Sequence, residues 1–233
     1  MSRTPIPLAA TVLALLLCLF APLASAGTDS EKITSSYNVL KEITSIPETG
    51  IPPALLSNAS GIVIVPDAIK VGLFIGGKYG TGILMVHKSD GTWSNPSFVS
   101  LMGGSFGWQI GAQATDLIMI FKSIRSIEGI KKGKFTIGAD ASVAAGPVGR
   151  SASASTDVLF KAEILSYSRS RGVFAGVSLE GAALQIDDEK NGYFYGKPGI
   201  SANDIFTGAP TSPSPTIWKI KALLTEYGKN SGQ

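Results

Sequence analysis

One stretch, Gly61–Lys88, limits the fold more than any other: GIVIVPDAIKVGLFIGGKYGTGILMVHK. Read at period two, Val71, Leu73, Ile75, Tyr79, Ile83 and Met85 fall on one side, with Gly72, Gly76, Gly80 and Gly82 on the other. Side chains alternate across a strand, so this pattern predicts a two-faced β-hairpin. One face packs a core, while the glycine face lets the sheet coil tightly or lets another surface reach the backbone. The partition recurs in 103–118, where Phe106, Trp108, Ile110 and Ile118 oppose Gly103, Gly107 and Gly111. It recurs again in 172–184, where Val173, Val177 and Leu179 oppose Gly172 and Gly176. These copies are too irregular for a repeat array.

A chain of 233 residues, 44% hydrophobic, fits one domain with a sizeable core. Arg3, the apolar run Leu8–Leu23 and the small-residue site Ala24-Ser25-Ala26 predict a cleaved signal peptide over 1–26, leaving a single domain over 27–233. Leu17 before Cys18 disfavours a lipidated cysteine. Cleavage removes the one Cys of the chain, and with it any disulfide or thiol ligand. The formal charge of +3 falls to about +2 when Arg3 leaves, too little for a general nucleic-acid binder. An electrostatic partner must therefore be met by a local patch.

Ser30–Ile46 carries Ile33, Tyr37, Leu40 and Ile43 at helical spacing, with Ser30 as a cap and Pro47 as a stop. This helix covers the sheet or lies at a membrane interface. A short helix follows from Pro52-Pro53 to Asn58. Asp90-Gly91 marks a turn, and Trp93, Pro96 and Phe98 lead into a long strand continuing to Phe121. Ser123–Gly129 predicts one or two helical turns closed by glycine. Phe135–Ala145, Val158–Ser170 and Val173–Ile186 alternate as strands, and Gly146-Pro147-Val148-Gly149 is a turn before a Ser/Ala-alternating strand over 151–155. Tyr193-Phe194-Tyr195 suggests an edge strand, and Ser201 with Asp204 a capping box. After a Pro/Ser linker, Ile217, Ile220, Leu224 and Tyr227 stripe a terminal helix stopped by Gly228. The resulting fold class is α+β, mainly antiparallel β, with a strongly coiled or barrel-like sheet of six to nine strands and short helices at its ends.

Catalytic and metal chemistry is sparse. His87 has no second His or Cys to join it in a zinc site, and Asp67, Asp116 and Asp140 lie on separate segments. Gly72–Lys78 approaches a phosphate-loop pattern, but Tyr79 stands where Ser or Thr would hold magnesium and the strand alternation runs through it. The expectation is a protein without enzymatic activity or cofactor. Lys122, Arg125, Lys131, Lys132 and Lys134 cluster against a single acid, Glu128. They make either an anion-attracting patch, with Ile127 and Ile130 dipping into a lipid boundary, or a solvated loop. Arg169 and Arg171 on one strand face, with Arg150 after its turn, make a second anion site or cross-strand pairs with Glu163 or Glu180.

Several motifs occur in a fixed order: Gly61–Pro66, Gly76–Gly82, Trp93-Ser94-x-Pro96, Gly103–Gly107, Gly138–Ser142, Gly146–Arg150, Tyr167–Phe174 and Gly176–Gly181. This series resembles the SYLF domain family across about residues 30–207. The resemblance implies a lipid-binding domain, since eukaryotic members bind phosphoinositides through basic residues and an amphipathic N-terminal helix. It also implies a possible protein partner, as some yeast relatives bind actin, and bacterial members are mostly exported. The expectation is a non-enzymatic module at an anionic lipid or membrane surface of the periplasm or cell envelope, using Lys122, Arg125, Lys131, Lys132, Lys134, Arg150, Arg169 and Arg171. The alternative is an envelope scaffold whose glycine-rich sheet face receives a protein partner.

Overall fold

The computed structural model describes residues 29–45, 50–72, 75–106, 111–148, 161–170, 173–177, 179–208 and 214–229. The expected signal peptide, Cys18, Pro47, Arg150, the 151–155 strand and Arg171 all lie outside them. Helix α1 (Asp29–Ser45) buries Ile33, Ser36, Val39, Leu40 and Ile43, the spacing of a single helical face. Ser36 tolerates burial because its hydroxyl donates to the Lys32 carbonyl at 2.8 Å. Ser30 is not the cap: the helix already includes Asp29. Helix α2 (Pro53–Ser57) opens on proline, whose missing N–H costs nothing in a first turn, and closes at Asn58.

Strands β1 (Gly61–Gly72) and β2 (Ile75–Val86) form the expected hairpin, in register from Gly61↔Val86 to Gly72↔Gly76. The run expected as one strand to Phe121 is two, β3 (Ser97–Phe106) and β4 (Gly111–Phe121). They flank the hairpin, β3 on β2 and β4 on β1. After helix α3 (Ile124–Lys131), Phe135–Ala145 also breaks in two: β5 (Phe135–Thr136) and β6 (Val143–Ala145). Asp140 accepts the Thr136 N–H at 2.6 Å and Gly138 sits at φ +90°, so a tight turn interrupts the alternation. Of the strand expected over Val158–Ser170, 158–160 lie outside the described residues and β7 spans Ile164–Ser170, while the 173–186 segment splits into β8 (Val173–Gly176) and β9 (Ala183–Ile186) around Gly181 at φ +77°.

The order is β5-β9-β3-β2-β1-β4-β7-β6, with β8 on β7; all pairs are antiparallel except β6 with β7. Here the chain itself proves the curl. Strands β5 and β6 lie on opposite borders, seven spacings apart, which is about 34 Å in a flat sheet. Residues 137–142 alone join them, and fully extended they reach about 24 Å. They are not extended, because Ile137 bridges Ala141. The sheet is therefore strongly coiled, a half-barrel, as the glycine alternation predicted.

A bulge at Pro66-Asp67 shifts the register of β1 against both neighbours, with Asp67 at φ +52°. It explains the glycines opposite. A Cβ on Gly82 would overlap the Ile64 carbonyl and one on Gly80 the Val65 side chain. The surface that reaches the glycine backbone is thus the neighbouring strand.

Both sheet faces carry packed helices. Ile62, Ile64, Ile83, Met85, Phe98, Ile118 and Tyr167 pack beneath α1, α2 and helix α6 (Pro215–Lys229). Val63, Val65, Leu84, Val99, Leu101, Met119 and Phe121 pack beneath α3 and helix α5 (Ala202–Thr207). The expected capping box is complete in α5, whose Ser201 hydroxyl accepts the Asp204 N–H at 3.1 Å. Tyr193-Phe194-Tyr195 is not a strand. It ends helix α4 (Asp188–Phe194), which Asp187 caps by accepting the Lys190 N–H at 3.1 Å. Gly228 lies within α6 rather than after it.

Candidate functional site

Helix α3 carries two of the predicted cations, Arg125 and Lys131, and is flanked by three more, Lys122, Lys132 and Lys134. Ser123 starts it by accepting the Arg125 N–H at 3.1 Å, and Ser126, Ile127 and Ile130 turn inward. Gly129 does not close the helix. It sits inside, where a Cβ would crowd the Phe135 ring at 3.0 Å, and the chain leaves through Gly133 at φ +135°. The eight-residue helix separates the cluster into two ends, Lys122 with Arg125 and Lys131 with Lys132 and Lys134. Six residues of helical rise put these ends about 9 Å apart.

The cations differ in availability. Arg125, Lys132 and Lys134 are exposed, and none has an ion pair among the described residues. Lys131 is engaged: its Nζ lies 2.9 Å from Glu128 Oε1 and 2.9 Å from Asn203 Oδ1. Half-buried Lys122 donates its backbone N–H to the Glu163 carbonyl at 2.9 Å. Ile127 and Ile130 cannot insert into lipid where they stand, since they are 1% and 0% exposed and belong to the core under α3. The apolar residue that α3 presents to solvent is Ile124, 53% exposed. Its sequence signal was the helical spacing of Ser126, Ile127 and Ile130, which leaves position 124 off the buried face.

Beside Lys131 is a depression of about 240 Å³, lined by Gln185, Asp188, Ser201 and Asn203 among others. Lys131 is balanced there by Glu128 and Asn203, and Asp188 adds negative charge, so the depression is not an anion cradle.

Arg169 is not part of an anion site. Its Nη2 lies 2.6 Å from Asp116 Oδ2, its Nε 2.7 Å from the same oxygen, and its Nη1 meets Glu42 of α1. The predicted alternatives, Glu163 and Glu180, are not these partners. Asp116 Oδ1 also accepts the Asp67 N–H at 3.0 Å, tying the bulge to the same network. Burial pushes the Asp116 carboxyl above its usual range, and the Asp67 N–H draws it back. Asp116, joined to Asp67, is thus a structural group that docks α1 to the sheet. Asp140 serves the turn after β5.

His87 is likewise structural. Its ring stacks on Trp93 with centroids 4.8 Å apart, and its nitrogens lie 3.2 Å from the Ala59 carbonyl and 3.3 Å from that of Gly91. Gly76-Gly77-Lys78 lies within β2, hydrogen-bonded between two strands rather than leading a helix. Among the described residues no three His, Cys, Asp or Glu side chains converge to hold a metal. No described helix is long and apolar enough to cross a membrane.

A second exposed feature escaped the sequence. Ile69, Tyr79 and Met102 are direct cross-strand neighbours on β1, β2 and β3, exposed by 43%, 54% and 45%. They form an apolar stripe beside the Asp67–Asp116–Arg169 network. The alternation placed Tyr79 on the core face, and the register shift at Asp67, invisible in the pattern, brings Ile69 beside it.

Residues 102–227 match the family model described as "Ysc84: Las17-binding protein actin regulator". The human SH3 domain-containing YSC84-like protein 1 is 35% identical over 203 residues, covering 84% of this chain and 59% of the relative. Its Xenopus laevis counterpart is 35% identical over 196 residues, covering 81% and 58%. LAS seventeen-binding protein 3 of Saccharomyces cerevisiae is 34% identical over 188 residues, covering 78% and 40%. The chain thus spans about three-fifths or less of the length of these relatives. With the coiled sheet, its bulge and the ordered glycine motifs in place, the chain belongs to the Ysc84, or SYLF, family.

Proposed function

We propose that this chain is a non-enzymatic binding module that meets an anionic lipid surface through α3 and the turn after it. The observation that carries this reading is the exposure of Arg125, Lys132 and Lys134 without ion pairs among the described residues, beside exposed Ile124. At a negative membrane surface each such cation contributes about 1 kcal/mol. Lys131 contributes less than its neighbours because Glu128 offsets it. Phosphoinositides belong to the same chemical class of ligand. The reading takes residues 1–26 as an export signal, so the mature chain starts at Gly27 in the periplasm or cell envelope; N-terminal sequencing of the exported form checks that.

Flotation with phosphatidylcholine vesicles containing increasing phosphatidylglycerol tests the lipid reading. Binding should rise with anionic fraction, fall with salt, and drop at least tenfold when Lys132 and Lys134 are both reversed to Glu. Equal binding to neutral and anionic vesicles defeats it.

The second reading, a protein partner, is favoured by the Ile69–Tyr79–Met102 stripe. It is also favoured by the Las17-binding description of the family and of its yeast member. Tyr79→Glu should then abolish partner cross-linking while leaving vesicle binding intact.

A further inference from the structure

Trp218 is 68% exposed in the first turn of a helix whose Ile217, Ile220 and Leu224 are buried. A tryptophan left in water forgoes a large apolar contact, so an exposed one on a rigid helix marks a surface that is covered in use. Its surroundings are cationic. Lys219 beside it is exposed. Lys221 Nζ lies 5.2 Å from the indole centroid and donates to Asn95 Oδ1 at 2.7 Å. Asn95 follows Ser94, whose N–H donates to the Val86 carbonyl at 2.8 Å, and the Lys88 N–H donates to the Thr92 carbonyl at 2.8 Å, so Lys221 lies by the turn that carries Lys88. Burial, then the charge of Lys88, holds Lys221 below the usual lysine range. Lys88 is itself paired with Asp90 at 3.1 Å.

Hydrogen bonds link this neighbourhood to α3. The His87 N–H donates to the Ser60 carbonyl at 3.0 Å, and the Ser60 hydroxyl donates to the Lys122 carbonyl at 3.1 Å. Lys88 and Lys122 therefore leave the sheet at the same end.

We propose that this end of the sheet is a membrane-contact surface in which the Trp218 indole enters the headgroup region of an anionic bilayer while exposed Lys219 meets its phosphates, with Lys221 beside the ring and Lys88 offset by Asp90. The inference rests on the lipid reading above and names the inserting residue, which α3 does not supply from its buried isoleucines. An indole suits that depth because its apolar body and its N–H face different media. The cations around Trp218 select a negative surface.

The test uses the purified chain with vesicles of phosphatidylcholine alone or mixed with phosphatidylglycerol, carrying brominated acyl chains. Among the described residues the other tryptophan, Trp93, is 3% exposed, and the difference between wild type and Trp218→Phe isolates the Trp218 signal from Trp93 and Trp108. Anionic vesicles should blue-shift and quench wild-type emission, and both changes should disappear in Trp218→Phe. Trp218→Ala and Lys219→Glu should each lower partitioning by about tenfold. Flotation with anionic vesicles while Trp218 remains unquenched and open to acrylamide overturns the insertion and leaves the lipid reading standing. Failure of the wild type to float with any vesicle overturns both.

Discussion

At the scale of single residues, position decides function more than residue type. Arg169 and Arg125 are both arginines, yet one is consumed between Asp116 and Glu42 while the other faces water. Arg169→Met should leave a buried carboxylate uncompensated and cost about 3 kcal/mol in urea unfolding, whereas Arg125→Met should change stability by no more than about 0.5 kcal/mol. Gly82→Ala forces a methyl into the Ile64 carbonyl and should cost about 3 kcal/mol. Asp90, held at about 2 chiefly by its hydrogen bonds from Thr92, gives the pH test. Its folded value is depressed, so its contribution to stability is complete above the ordinary carboxylate range and is lost as pH falls toward 2. An NMR titration should find its midpoint near 2 in the folded chain, and an ordinary midpoint would show that the turn is not formed.

At the scale of elements, what was legible in the sequence was local. Ser201 and Asp204 lie three residues apart, and the Ile217-Ile220-Leu224 stripe needs only one helix, so both were readable. The α3 cluster was readable as charge but not as geometry: Ile127 and Ile130 lie between the cations in sequence, yet both are turned into the core. Ile127→Ala should therefore cost about 2–5 kcal/mol with vesicle affinity preserved in the folded fraction. Ile124→Ala should leave the urea midpoint unchanged and weaken vesicle binding. The reverse outcome would mean that α3 rotates when it binds. The strand readings at 135–145 and 173–186 failed because period-two alternation persists through tight turns. The signal that breaks the first, Asp140 four residues after Thr136, is a side-chain acceptor rather than a hydrophobicity change.

At the scale of the whole molecule, the coiled sheet followed from the glycine alternation, but its strand order did not. The strand pairs that fix it are distant in sequence: Gly61 with Phe121, Val99 with Ile186, Phe135 with Leu184. Lengthening the 137–142 connection by a Gly-Ser insert should relax the curl, and amide exchange should then speed up in β5, β6 and β9 while β1, β2 and β4 keep their protection. Uniform protection would show that side-chain packing alone sets the curvature.

That short connection also governs how another molecule can attach. Among the described residues the border strands β5, β6 and β8 are two, three and four residues long, and the same stretch of chain moors both rims through β5 and β6. An incoming β-strand would find almost no backbone to ladder against there. Association is left to charges and exposed rings, so it should be tuned by ionic strength and surface chemistry rather than by the register of a peptide.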